Sequence, residues 1–315
     1  MQHLLIAEGL HKQYGAKKAL SGLDLKIAYG SIYGLLGPNG AGKTTFIRLI
    51  NQIQLPDAGK IIFDGESLSP KHITQIGYLP EERGLYKNMY VEEQILYLAQ
   101  LKGMKKDHAK AMLQWWFDRL EIGSWRHKKL RTLSKGMAQK IQFIITVLHA
   151  PKLMIFDEPF SGFDPINTQL IRDQILELKK NGSTIILSTH RMASVEAICD
   201  YIALIDRSQK ILDGPLPLIK EQFKENRYQV RLEIRNQLLW ERLLVCYPLS
   251  KVIREGDFCS FEIQLQESSM HLLQELMQIG EIHLFGKYTP SLDEIFINAV
   301  KKVKCNAKNM VDHPT

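Results

Sequence analysis

The chain has 315 residues, enough for about two domains, with 45% hydrophobic and 24% charged residues. Lysines and arginines exceed carboxylates to leave a net charge of +7, which fits a phosphate-rich ligand, nucleic acid, an anionic membrane surface or a merely solvated basic surface. The opening "MQHLLIAEGLHKQYG" is charged too soon for a signal peptide, and runs such as "FIITVL" at 143–148 are too short to span a bilayer, so any membrane crossing is expected in another chain.

Strand-like segments come first, at residues 3–8, 23–27, 31–36, 60–65 and 75–80. Between the third and fourth lies "GPNGAGKTT", residues 37–45, following the strand "SIYGLL" and opening the helix "TFIRLINQI". That context fits a phosphate-binding loop. Gly37, Gly40 and Gly42 let the backbone wrap a polyphosphate at a helix N-terminus, with Pro38, Asn39, Ala41 and Thr45 completing the cradle. Lys43 neutralises the outer phosphates, and the Thr44 hydroxyl is placed for Mg²⁺.

From about 91 to 120 apolar residues recur three and four apart, so residues 86–132 read as an all-helical insertion. Its stripe Trp115, Trp116 and Phe117 suits insertion core or an interface, and its basic stretches "KGMKK" and "RHKKLR" suit a solvated face or an anionic leaflet. Strand–helix alternation then returns through "KLMIFDE", "STIILSTH" and "YIALID", predicting a largely parallel sheet with helices on both faces.

The stretch "LMIFDEP" runs an apolar strand into adjacent carboxylates, a costly arrangement unless something uses them. Beside a phosphate loop, Asp157 is placed for Mg²⁺ and Glu158 for polarising a water as general base.

After residue 218 the pattern becomes β-α-β-β-α-β, with a turn at Glu255-Gly256-Asp257 between the middle strands, the order of a ferredoxin-like domain. Ser291 and Glu294 form a capping box for a last helix. The expected division is 1–218, 219–303 for a small α+β accessory domain, and an unstructured tail at 304–315. Cys199, Cys246, Cys259 and Cys305 have no metal-ligand spacing and read as reduced thiols of a cytoplasmic protein.

Over residues 1 to about 218 the chain resembles the ATP-binding subunits of ATP-binding-cassette (ABC) proteins, an α/β phosphate-loop fold with a helical subdomain. "GPNGAGKTT" is similar to Walker A, "LMIFDE" to Walker B with its catalytic glutamate, "LSKGMAQK" at 133–140 to the signature, "SGFDP" at 161–165 to the D-loop and "STH" at 188–190 to the histidine switch. Tyr14 is similar in position to the aromatic that stacks on adenine.

The resemblance implies two chains closing head to tail around two ATP molecules with Mg²⁺. Ser134 and Gly136 of one chain would then cap the ATP held by the other, with Asp164 at the seam and His190 on the γ-phosphate or the attacking water. Lys135 stands where the family commonly has glycine, Met137 where it has glutamine, and Glu81 where it has the Q-loop glutamine. Glu81 is expected as a Mg²⁺ ligand, direct or through water, with pairing to Arg83 as the plain alternative. These departures and the appended domain ending "PSLDEIF" resemble ABC-2-type exporter ATPases.

The implied partners are ATP, a separate transmembrane permease docked beside the helical insertion and a second copy or homologue, with no nucleic acid. The implied location is the cytoplasmic face of the cell membrane. A soluble ABC ATPase acting on ribosomes or nucleic acid is the competing reading; such proteins commonly carry two cassettes or a long coiled coil, and neither is present. A GTPase would want N-K-x-D, also absent.

Overall fold

The computed structural model describes residues 2–82, 84–265 and 269–311, with side chains through Lys301. The chain forms two units, 1–216 with 298–315, and 217–297. The first boundary falls two residues before the expected 218, and residues from 298 onward group with the first unit.

In the first unit, β1 (His3–Tyr14) and β2 (Lys17–Ala28) are twelve-residue strands, followed by β3 (Ile32–Leu36), α1 (Lys43–Ile50), β4 (Ala58–Phe63), β5 (Glu66–Ser67) and β6 (Ile76–Leu79). The helical segment follows as α2 (Val91–Leu101), α3 (Lys106–Arg119) and α4 (Lys135–Val147). Then come β7 (Leu153–Asp157), α5 (Pro165–Lys180), β8 (Thr184–Ser188), α6 (Met192–Ile198), β9 (Tyr201–Asp206) and β10 (Gln209–Pro215); α7 (Leu216–Gln222) begins at the boundary and lies, after its first residue, in the second unit.

The strands make two sheets, the expected largely parallel one and a second, antiparallel one that the sequence did not announce. The larger has the order β10-β9-β3-β8-β7-β6 and is parallel except for β10. The smaller, β2-β1-β4-β5, is antiparallel throughout. Side-chain patterning explains the difference. β3, β7 and β8 are buried at every position, as strands of a covered parallel sheet must be. In β2, Leu23, Leu25 and Ile27 point inward and alternate with more exposed residues, the pattern of a sheet with one wet face. The expected ends of β1 and β2 were too short because their polar tips read as loop. Asp57 supports one tip, accepting from Lys12 Nζ and the Gln13 N–H, each at 2.7 Å.

Within the helical segment Trp116 and Phe117 are buried, as core; Trp115 is exposed, its ring against that of Trp116. Among the described residues no helix is long and apolar enough to cross a membrane.

The second unit contains β11 (Arg227–Ile234), α8 (Gln237–Cys246), β12 (Leu249–Glu255), β13 (Phe258–Gln264), α9 (Ser269–Ile279), β14 (Gly280–Lys287) and the start of α10 (Leu292–Val311). Its antiparallel sheet has the order β12-β13-β11-β14, the strand order of the ferredoxin-like topology. Val230, Leu232, Trp240, Phe261 and Leu276 form its core. Ser291 Oγ accepts the Glu294 N–H at 3.3 Å at the start of α10. That helix runs across the beginning of the segment expected to lack structure; residues 312–315 and the Cys305 side chain lie outside the described residues.

Candidate active site

β3 ends inside the parallel sheet and hands the chain to the loop 37–42. Two glycines there are sterically compelled. A Cβ on Gly37 would lie 2.1 Å from the Ile205 carbonyl oxygen, and one on Gly42, where φ is +119°, would lie 2.5 Å from that of Ala19. The loop is thus wedged between β9 and β2. Its fold returns the chain to α1, whose first residue is Lys43.

Lys43 is buried, and its ammonium donates to the carbonyls of Gly37 at 2.6 Å and Pro38 at 3.0 Å. Burial lowers its pKa, while the charges of Asp157, Glu158 and Glu81 act in the opposite direction. All three acids line an open cleft with Tyr14, Asn39, Gly40, Gly42, Thr44 and Thr45. Gly37, Pro38 and Ala41 supply the backbone behind it, and the Ala41 N–H closes the loop by donating to the Pro38 carbonyl at 3.2 Å.

Asp157 ends β7 almost fully buried, and burial pushes its carboxyl above the usual carboxylate range, with the charges of Glu81 and Glu158 adding. Its Oδ2 has no partner in good hydrogen-bond geometry; the Ser188 hydroxyl, opposite it across the β7–β8 pair, is close enough to act against that rise. An unpartnered buried carboxylate oxygen facing a hydroxyl-bearing cleft fits a hard divalent cation. Among the described residues no three His, Cys, Asp or Glu side chains form a metal cage. Glu81 is exposed at the rim of the same cleft; Arg83, its alternative partner, lies outside the described residues.

Glu158 has a left-handed backbone, φ +50°, a conformation that costs free energy in a non-glycine residue and clusters at functional sites. The end of β8 holds it there. Its N–H donates to the Ser188 carbonyl at 2.8 Å; its Oε2 accepts from Thr189 Oγ1 at 3.0 Å; its Oε1 accepts from the His190 N–H at 2.8 Å and lies 2.7 Å from His190 Nδ1. The parallel pairing of β7 and β8 thus brings the expected base and the expected switch histidine into contact.

Tyr14, at the tip of β1, is 41% exposed, with its hydroxyl on Gln54 Oε1 and Lys12 Nζ 5.8 Å from its ring centre. Ser134 and Gly136 lie elsewhere, in a second open cleft shared with Lys135 and Asp164. Ser134 caps α4, its Oγ accepting the Met137 N–H at 3.2 Å, and Asp164 caps α5 through the Asn167 N–H at 2.8 Å. Within one chain these residues are not brought to the nucleotide cleft.

Sequence reasoning missed Lys17 and Thr189. Lys17 lines the nucleotide cleft, with Nζ 3.9 Å from where a Gly40 Cβ would sit; its only signal is its nearness to Tyr14 in sequence. Thr189 sits inside the "STH" motif, but its bond to Glu158 depends on sheet register.

Residues 20–161 match the ABC transporter family, and residues 214–300 match the C-terminal domain of the ATP-binding protein DrrA1-3-like family. An uncharacterised ABC transporter ATP-binding protein of Bacillus subtilis (strain 168) is 38% identical over 300 residues, 95% of this chain and 99% of that protein. The daunorubicin resistance ATP-binding protein DrrA3 of Streptomyces coeruleorubidus is 27% identical over 93% of this chain and 95% of its own. A solved ATP-binding subunit of an ABC transporter has the same fold at a TM-score of 0.66 and 30% identity, over 70% of this chain and 93% of that one.

Proposed function

The chain belongs to the ATP-binding subunits of ABC transporters, a family that hydrolyses ATP to power transport, and from that premise we propose that it drives an exporter whose permease is a separate chain. The observation carrying this reading is the accessory domain: residues 214–300 match the C-terminal domain family of DrrA-like proteins, one of which is named for drug resistance. The ATPase unit supplies the motor. With no membrane-crossing helix among the described residues, attachment to the cytoplasmic face of the membrane would come through the permease.

The site residues divide the work. Tyr14 stacks on adenine, and Lys43 exchanges the carbonyls of Gly37 and Pro38 for the outer phosphates. Thr44 and Asp157, with Glu81 directly or through one water, would hold Mg²⁺, which supplies neutralisation of phosphate charge. Glu158 takes the proton of the attacking water as that oxygen bonds to the γ-phosphorus and the bond to the bridging oxygen breaks, leaving ADP and phosphate. His190, held through Nδ1, turns its other ring nitrogen toward the γ-phosphate. Ser134 and Gly136, remote from the cleft within one chain, cap the nucleotide of a second copy, with Asp164 at the seam.

Purification of the tagged full chain from detergent-solubilised membranes tests the proposal. A stoichiometric polytopic membrane protein, with ATPase activity retained, is the expected result. Recovery with ribosomes or nucleic acid in its place would overturn the exporter reading in favour of a soluble role.

A further inference from the structure

Glu158 is gripped unevenly. Thr189 is fully buried, 0% exposed, whereas the His190 side chain is 66% exposed. The Thr189 hydroxyl has one proton, and its oxygen accepts the Arg191 N–H at 3.1 Å. That second bond directs the proton at Glu158 Oε2. A β-branched side chain packed in a core is restricted at χ1 and has little room to change its setting. The His190 ring, by contrast, can swing into solvent and surrender its place on Oε1 to a water.

We infer that Thr189 is a positioning residue for ATP hydrolysis: it pins Glu158 Oε2, so that Oε1, the oxygen shared with the exposed His190 ring, is the one that takes the proton from the attacking water. This rests on Glu158 being the base. The Glu158 carboxylate rotates about its last torsion on a soft, two-fold potential. With Oε2 tied to the Thr189 hydroxyl and one lone pair of Oε1 taken by the His190 N–H at 2.8 Å, the remaining lone pair of Oε1 keeps one direction. The left-handed backbone of Glu158 and its N–H bond to Ser188 fix the root of the side chain, and Thr189, with the His190 N–H, fixes its tip.

Thr189→Val keeps the shape and removes the proton. In the full chain it is expected to lower kcat about 10- to 100-fold, the scale for a misplaced reacting group, with KM for ATP and ATP affinity within about twofold. Thr189→Ser, which keeps the hydroxyl, is expected to restore kcat to within about threefold of wild type. The decisive comparison uses Glu158→Gln: adding Thr189→Val to it should cost nothing more in single-turnover hydrolysis, because the residue acts through that carboxylate. Wild-type kcat in Thr189→Val, a serine variant as poor as valine, or an equal further loss in the Glu158→Gln background would each overturn the inference. Full turnover in Glu158→Gln alone would remove the base assignment itself, a separate failure.

Discussion

The Lys43 ammonium lies 2.6 Å from the Gly37 carbonyl oxygen, turned back on the loop that carries it. Its burial lowers its pKa and makes the charge a burden on the folded chain. Replacing it by methionine removes that charge at similar length. Lys43→Met is therefore expected to abolish ATP binding and hydrolysis while the melting temperature of the nucleotide-free protein stays level or rises. Differential scanning fluorimetry with and without ATP checks both halves; a strongly destabilised variant would show the lysine to be a structural tie.

Glu158→Gln retains shape and loses basicity. Turnover is expected to fall by about 10²- to 10⁴-fold, while nucleotide binding persists. Unconsumed ATP should then hold two chains together, visible as a dimer in size-exclusion chromatography. A variant that stays monomeric in saturating MgATP would count against the head-to-tail arrangement of the Ser134 cleft and a partner's nucleotide.

Glu81 shares the cleft with Asp157 and raises its pKa through its charge. Hard Mg²⁺ favours charged oxygen donors. Glu81→Gln keeps an oxygen and drops the charge, so the Mg²⁺ concentration for half-maximal ATPase activity should rise. Nucleotide affinity at saturating Mg²⁺ should change little. Superimposable Mg²⁺ titrations of variant and wild type would reduce Glu81 to a rim acid worth about 0–1 kcal/mol.

His149, just past α4, has its pKa pushed down to about 4 by burial, with the Lys102 charge adding. The unfolded chain takes up this proton near the ordinary histidine value of about 6.5. Between those values the unfolded state binds more protons, so acid destabilises the fold across that window. From pH 7.5 to pH 5 the expected contribution is about 2 kcal/mol of lost stability. Urea unfolding at both pH values should show a smaller loss in His149→Leu than in wild type; equal losses would place the acid sensitivity elsewhere.

The placement of acids at the end of a buried strand was legible in sequence because composition and position coincide there. An apolar run reaching Asp157 and Glu158 has to be a covered strand with acids at its mouth, and β7 is that strand. Ser134 before an apolar helix was likewise readable as its start. What escaped depends on pairing. The antiparallel sheet arises from β1 meeting β2 and β4 in particular registers, and the polar tips of those strands carry no periodicity to announce them. The Thr189–Glu158 contact follows from Asp157 pairing with Ser188 across two strands far apart in sequence. The chain divides near 216, where the patterning of the sequence changes; residue 298 onward groups with the first unit although a single helix runs through that point.

The carbonyl of Ala19 pressed against Gly42 makes the hairpin of β1 and β2 a caliper. One jaw is Tyr14, at the hairpin's tip; the other is the loop leading to Lys43; the backbone of residues 14–19 sets the gap between them. With the base stacked on Tyr14 as proposed, such a site would gauge the length of a ligand from base to terminal phosphate more than the identity of its base, because an aromatic ring stacks on any base. GTP should accordingly compete with fluorescent ATP within about tenfold of ATP itself, a gap of about 1.4 kcal/mol. ADP, one phosphate short of the second jaw, should compete without supporting the trapped dimer. A preference for ATP over GTP far beyond tenfold would mean that some side chain reads the edge of adenine.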